Sequence, residues 1–177
     1  MNYHKIEKTS VANGTGIRVV LWVSGCSLHC KGCHNPETWD VCSGMPFDDK
    51  AKEELFEALD KSYIQGITLS GGHPLEGENV QTIYLLIKEI KEKFPTKDIW
   101  LYTGLTLEQI FPTVVTDDFD IKRFYRQMIT MMSDVVVDGK YVEELRDITL
   151  KWKGSSNQRV IDMGKTIREG KIILYNN

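Results

Sequence analysis

The sequence predicts an α/β protein, a partial (incomplete) β/α barrel with a mainly parallel sheet, in a single domain over residues 1–177. Three observations carry that expectation. Short apolar runs alternate with amphipathic helical stretches, which calls for crossover connections. Each cysteine- or glycine-rich loop follows directly on an apolar run, so these loops collect at the carboxyl ends of the strands, where α/β folds bind ligands. The chain has 177 residues, short of the roughly 200 that a complete eight-unit barrel needs. It is still long enough for a substantial core, since a chain of this size buries about 70% of its unfolded surface.

The elements follow in order. Ile17 to Val23 is an almost continuous apolar run, suited to a strand buried on both faces. A cysteine loop follows it. Asp48 and Asp49 place negative charge where a helix begins, and Ala51, Leu55, Phe56 and Leu59 recur at helical spacing. Ile67 to Ser70 reads as a strand ended by Gly71-Gly72. Val80, Ile83, Tyr84, Ile87, Ile90 and Phe94 form one helical stripe that Pro95 ends. Ile99 to Thr103 is the next strand, stopped by Gly104. A helical stretch over 119–132 leads to Val135-Val136-Val137, a strand ended by Asp138-Gly139. Two further β-like runs, Arg159 to Met163 and Lys171 to Tyr175, close the chain.

Composition narrows the function classes. Hydrophobic content of 41% and charged content of 27% are ordinary for a globular protein, and the net charge of -3 gives no electrostatic case for nucleic acid or anionic lipid. No apolar stretch approaches the ~18 residues of a membrane span, and the N-terminus has no apolar signal-peptide core. The expected location is the cytoplasm, with no membrane and no nucleic-acid partner. Thiols stay reduced there, so three cysteines within eight residues read as metal-binding or catalytic.

Those three are Cys26, Cys30 and Cys33, spaced C-x3-C-x2-C in a loop that Gly25, Gly32 and Pro36 allow to curl. Thiolates are the natural ligands of iron–sulfur clusters, which usually take four. Three thiolates on four irons leave one iron open to a small ligand. Two other readings stand beside this one: a Cys3His zinc site completed by His34, which the adjacency of Cys33 and His34 makes awkward, and three thiols placed near one another by chance. Cys42 falls outside the spacing and reads as a spare thiol packed as a small hydrophobe. His4 and His29 read as surface residues, and Met128, Met131 and Met132 as packing residues.

The loop resembles the C-x3-C-x2-C signature of the radical S-adenosylmethionine enzymes. That resemblance implies a [4Fe-4S] cluster, S-adenosylmethionine chelated at the open iron, and a barrel of radical S-adenosylmethionine type. Gly71-Gly72-His73-Pro74 is similar to the superfamily's GGEP loop, whose backbone binds the amino group of S-adenosylmethionine; His73 departs from it, standing where the pattern has an acidic residue. Asp138-Gly139-Lys140 resembles a strand end of glycyl-radical activating enzymes, which implies Lys140 near the carboxylate of S-adenosylmethionine, positioned by Asp138. Thr103 is a further candidate contact. Asn13 to Arg18, Cys33 to Trp39, Ile67 to Gly72, Asp98 to Leu101, Asp138 to Tyr141 and Gly154 to Arg159 all look like one family, the anaerobic ribonucleoside-triphosphate reductase activating proteins. The family's task would be to place a glycyl radical on the large subunit of anaerobic ribonucleoside-triphosphate reductase, fed by an electron donor such as a flavodoxin. Gly154 to Arg159 would then touch that partner or serve as an ordinary solvated loop. A radical enzyme acting on a small molecule and a zinc-binding interaction module are the rival readings.

Overall fold

The computed structural model describes residues 1–113 and 120–176. Among them, seven strands form one sheet: β1 (Asn2–Ser10), β2 (Ile17–Val23), β3 (Met45–Pro46), β4 (Ile64–Gly71), β5 (Asp98–Tyr102), β6 (Val135–Asp138) and β7 (Arg159–Asp162), in the order β3-β1-β2-β4-β5-β6-β7. The centre, β2-β4-β5-β6, is parallel as expected. Both margins are antiparallel, with β1 between β2 and β3 on one side and β7 on β6 at the other. The protein is thus a mixed α/β fold whose sheet is parallel only in its middle. β1 escapes sequence patterning because a register shift between Tyr3 and Lys5 breaks its period, and because much of the strand is exposed.

The helices are α1 (Asp49–Leu59), α2 (Val80–Lys93), α3 (Leu107–Ile110), α4 (Ile121–Met132) and α5 (Met163–Glu169). Asp48 caps α1 by accepting from the Ala51 amide at 2.9 Å, and Asp120 caps α4 by accepting from Lys122 at 2.9 Å. The expected start of that fourth helix at Phe119 lies outside the described residues. Lys171 to Tyr175 does not form a full strand; it lies beside β7 through one isolated bridge, Ile161 to Leu174.

Each central strand is added on the same side of the one before, so right-handed crossovers put the helices on one face. The core shows this. Val19, Leu21, Val23, Ile67, Leu69, Ile99, Leu101 and Val136 pack in one cluster with Leu55 and Leu59 of α1, Ile83, Ile87 and Ile90 of α2, and Ile129 of α4. The opposite face holds a second cluster, in which Trp100, Val135 and Val137 meet Tyr102, Trp152, Val160 and Tyr175.

That second face also buries a charge. Arg18 is fully buried near the amino ends of the parallel strands. It donates to Thr68 Oγ1 at 2.9 Å, to the carbonyls of Thr15 at 3.1 Å and Ile67 at 2.8 Å, and pairs with Asp98 at 2.5 Å. Its guanidinium also lies 5.3 Å from the Trp100 ring centre. One side chain thus joins β2, β4, β5 and the loop before β2. A buried guanidinium persists only when paired and hydrogen-bonded in this way. At the other margin, Asp138 of β6 faces Arg159 of β7 in the sheet register, and Arg159 donates to both Asp138 oxygens, at 2.9 and 2.5 Å, and to both Glu108 oxygens, at 2.9 and 2.8 Å. Asp138 also accepts from the Leu107 amide at 2.9 Å, which anchors α3.

Two outcomes follow for the iron-free chain. Arg18→Met keeps the bulk but strands Asp98 and Thr68, so urea unfolding at pH 7 should show a loss of about 3 kcal/mol with an unchanged slope. Arg159 beside it lowers the Glu108 carboxyl from 4.5 to about 2. A depressed folded value contributes stability that is complete above the unfolded value and is lost as pH falls from about 4.5 toward 2. Glu108→Gln should therefore lose stability less steeply across that window than the parent chain, and added salt should shrink the difference, because Glu108 is exposed.

Candidate functional site

The loops after β2, β4, β5 and β6 meet, as expected, around one cavity of ≈ 550 Å³, within the size range of small-molecule and cofactor sites. Cys26, Cys30 and Cys33 line one wall, Ser70 to Gly72 and Tyr102 to Gly104 another, and residues of the segment 146–158 close the side.

The cysteine loop is held by its backbone. Gly25 and Cys26 donate to the carbonyls of Thr38 and Trp39 at 2.8 and 3.0 Å, so the loop folds back on the short 3-10 turn Pro36–Thr38. The β4 end grips it from the other side: Gly72 donates to Val23 at 2.8 Å and His73 to Gly25 at 2.7 Å. These approaches leave no room for a Cβ. At Gly71, where φ is +103°, one would stand 2.6 Å from the Val23 nitrogen; at Gly72 it would stand 2.6 Å from the Gly25 oxygen. The paired glycines let the two backbones touch. His29 stacks on Trp39 with centroids 4.6 Å apart and takes a left-handed φ of 42°.

The three thiols are half-buried and free of disulfides, and burial pushes the Cys26 thiol above its ordinary value. Among the described residues, no three His, Cys, Asp or Glu side chains gather closely enough to share a single metal ion. A tetrahedral zinc site needs that convergence. A cluster does not, because each thiolate binds a different iron. Three thiols lining one cavity are a donor set that fits a cluster. Trp39, which lines the cavity, adds a buried Nε1 donor without a partner among the described residues. Cys42 is exposed and is not among the lining residues.

The remaining sequence candidates divide. Gly71, Gly72 and Thr103 line the cavity. His73 and Pro74 are buried behind it and do not. His73 meets Thr103 Oγ1 through Nε2 at 2.9 Å, and its Nδ1 lies 3.9 Å from Glu76 Oε2. Glu76 accepts from the Ser27 amide at 2.8 Å, and His73 together with that amide holds its carboxyl far below the usual carboxylate range. Asp138 is turned to Arg159 and Leu107, so its side chain serves the scaffold. Lys140 is exposed on the rim, between the lining residues Gly139 and Tyr141.

Sequence reasoning missed Arg18, Glu76 and the closing segment. Gly154 to Arg159 is exposed at Gly154, Ser156 and Asn157 but tied down: Ser155 is fully buried, Gln158 Oε1 accepts from the Gly154 and Ser155 amides at 2.9 and 3.2 Å, and Gln158 and Asn157 donate to the Gly139 and Lys140 carbonyls at 3.0 and 2.8 Å. The preceding turn reaches the cysteine loop through Lys31 and Glu144, 2.9 Å apart. Within this segment Trp152 takes a left-handed φ of 62° and packs edge-on to Trp100 and Tyr175, with centroids 5.2 and 5.8 Å away. Ile148, on the cavity lining, is 86% exposed.

Residues 12–161 match the 4Fe-4S single cluster domain family. A [4Fe-4S] cluster is accordingly the cofactor, and activating proteins of this type use S-adenosylmethionine. The chain is 40% identical over 162 residues to the anaerobic ribonucleoside-triphosphate reductase-activating protein of Escherichia coli K12, covering 90% of this chain and 97% of that one. It is 43% identical over 160 residues to the protein of that name from Enterobacteria phage T4, covering 90% and 93% of the two chains. The corresponding protein of Pasteurella multocida is 37% identical over 160 residues, 89% of this chain and 95% of its own. Likeness of that degree along almost the whole of both chains has one meaning: this chain belongs to the family of anaerobic ribonucleoside-triphosphate reductase-activating proteins.

Proposed function

We propose that this chain is a radical S-adenosylmethionine enzyme, built as an incomplete β/α barrel in one domain, that activates the large subunit of anaerobic ribonucleoside-triphosphate reductase. The observation that carries the reading is the placement of three reduced thiols and a side-chain-free glycine pair on one cavity of ≈ 550 Å³. Cys26, Cys30 and Cys33 would hold the [4Fe-4S] cluster. With the cluster and S-adenosylmethionine bound there, these cofactors would supply the one-electron reductive cleavage chemistry by which a Cα hydrogen of a reductase glycine would be removed.

The chain's own residues bind, orient and shield. Ser70 to Gly72 present backbone to the cavity without a side chain beyond Ser70, as the amino group of S-adenosylmethionine requires. Lys140 has no ion pair among the described residues and sits on the rim, where its ammonium is free to meet a carboxylate. Thr103 lines the opposite wall, with its hydroxyl held by His73 and the Leu105 amide. Tyr102 stays neutral, since burial pushes its phenol far up. The segment 146–158 covers the side of the cavity and limits water. Exposed Ile148 and Leu145 give its outer edge an apolar character suited to a protein substrate. No described helix is long and apolar enough to cross a membrane, which suits a cytoplasmic enzyme reduced by a carrier such as a flavodoxin.

The test is anaerobic reconstitution with iron and sulfide, followed by reductant, S-adenosylmethionine and the reductase. A glycyl radical signal by electron paramagnetic resonance is the expected result. Cleavage of S-adenosylmethionine with no such signal would move the function to another substrate. Ala in place of Cys26, Cys30 or Cys33 should abolish the signal and the bound iron, whereas Cys42→Ala should retain both. Loss of iron in Cys42→Ala would overturn the ligand assignment.

A further inference from the structure

Behind the cavity runs a line of polar contacts that touches three of its four loops. Glu76 Oε2 takes the amide of Ser27, the residue after Cys26, at 2.8 Å. His73, only 4% exposed, stands with Nδ1 3.9 Å from the same oxygen and Nε2 2.9 Å from Thr103 Oγ1. The Thr103 oxygen already accepts from the Leu105 amide at 3.1 Å. With its own proton given to Nε2, the ring proton sits on Nδ1, on the side of the carboxylate, and this is the tautomer that the Glu76 contact favours. The His73 amide donates to Gly25 at 2.7 Å, and Asn79 Nδ2 reaches both the Ser24 carbonyl at 2.7 Å and the His73 carbonyl at 3.2 Å. His73 thus joins the cysteine loop, the glycine loop and the loop after β5 through its amide, its carbonyl and Nε2, with Nδ1 in ion-pair range of Glu76.

We infer that His73 and Glu76 are positioning residues: acting through Ser27 and Thr103, they hold the Cys26 arm of the cluster loop in fixed relation to the opposite wall of the cavity. Neither side chain lines the cavity, so neither touches cofactor or substrate. Their effect reaches the chemistry through the residues they hold. A buried polar network of this kind is rigid only while every member is paired. Partners one step removed from cluster ligands fix ligand orientation and affinity. The inference rests on the cluster assignment above for its second arm and is independent of it for its first.

The first arm is nitrogen and proton resonance spectroscopy of the full-length, reduced, iron-free chain with labelled histidine. A proton on Nδ1 of His73, whether or not Nε2 carries one too, is expected; an unprotonated Nδ1 would break the link to Glu76 and overturn the relay. The second arm uses the reconstituted protein. His73→Leu and Glu76→Ala should each speed iron loss to a chelator by about tenfold and alter the reduced cluster's line shape on addition of S-adenosylmethionine. The double variant should lose iron no faster than the worse single one, because both cut the same path. His73→Asn, whose amide stands where Nδ1 stood but does not reach Thr103, should recover part of the slow rate. Wild-type rates in either single variant, additive losses in the double, or no rescue by Asn would each overturn the proposal. If the variants fail to fold, the first arm decides. A parent protein that binds no iron would sink the proposed function and leave the resonance result standing.

Discussion

The hydrogen bonding between β2 and β4 does not stop where the strands stop. It continues through Gly72 to Val23 and His73 to Gly25, and the cysteine loop then turns onto Thr38 and Trp39 by the same kind of bond. The start of the cysteine loop is therefore clamped between two stretches of backbone. Because the clamp is main chain on main chain, it tolerates no Cβ at positions 71 and 72. It also leaves the cysteine side chains uncommitted to packing, so they are free to serve as ligands. A site assembled from side chains alone would lose conformational entropy at each rotamer it had to fix. Here the sheet register has already set the loop's position.

The one-sided arrangement of the helices gives the sheet two unlike faces. One carries the main apolar core. The other is roofed, among the described residues, by Trp152, Tyr175 and the segment that leads to them, so it accommodates polar groups and an open cavity. These groups separate along the strands. Arg18, with Thr68 and Asp98, ties three strands together at the amino end, while the thiols and glycines occupy the carboxyl end. Stability and chemistry are thereby kept at opposite ends of the same strands, and loops at the chemical end can carry reactive groups without weakening the sheet.

The central strands, α1, α2 and the rim of special loops were legible because each has a local signature: a run of β-branched residues, a 3.6-residue stripe, or a glycine pair after a strand. The three cysteines were legible for the same reason. What was not legible depends on contacts distant in sequence. Glu76 is an unremarkable acid until the fold brings Ser27 to it across 49 residues, and Arg18 looks misplaced in an apolar strand until Asp98 arrives from β5. Asp138 shows the opposite error. Its position after a strand and beside Lys140 suggested that it orients that lysine at the site, but Arg159, 21 residues later, claims both its oxygens. Gly154 to Arg159 looked like a solvated or partner-facing loop from its small polar residues; Gly154, Ser156 and Asn157 are indeed exposed, but the turn that Gln158 and Ser155 tie together was not visible in the sequence.

The histidine at position 73 follows from the same geometry. The glycine loop meets the cavity with Ser70 to Gly72 only, and the next side chain is already turned into the protein. A group at 73 is therefore selected by its neighbours behind the wall, a hydroxyl on one side and a carboxylate on the other. An acid there would stand beside Glu76 with no cation between them, and like charges in a buried site raise each other's cost. An imidazole has a nitrogen for each neighbour. With Glu76 three residues farther along the loop and bonded to the cysteine loop, negative charge is kept in this region while the buried position itself carries a ring that can link two loops. The departure from the family's acidic pattern is thus compatible with an intact site, because the residue that changed lies behind the surface on which a ligand rests.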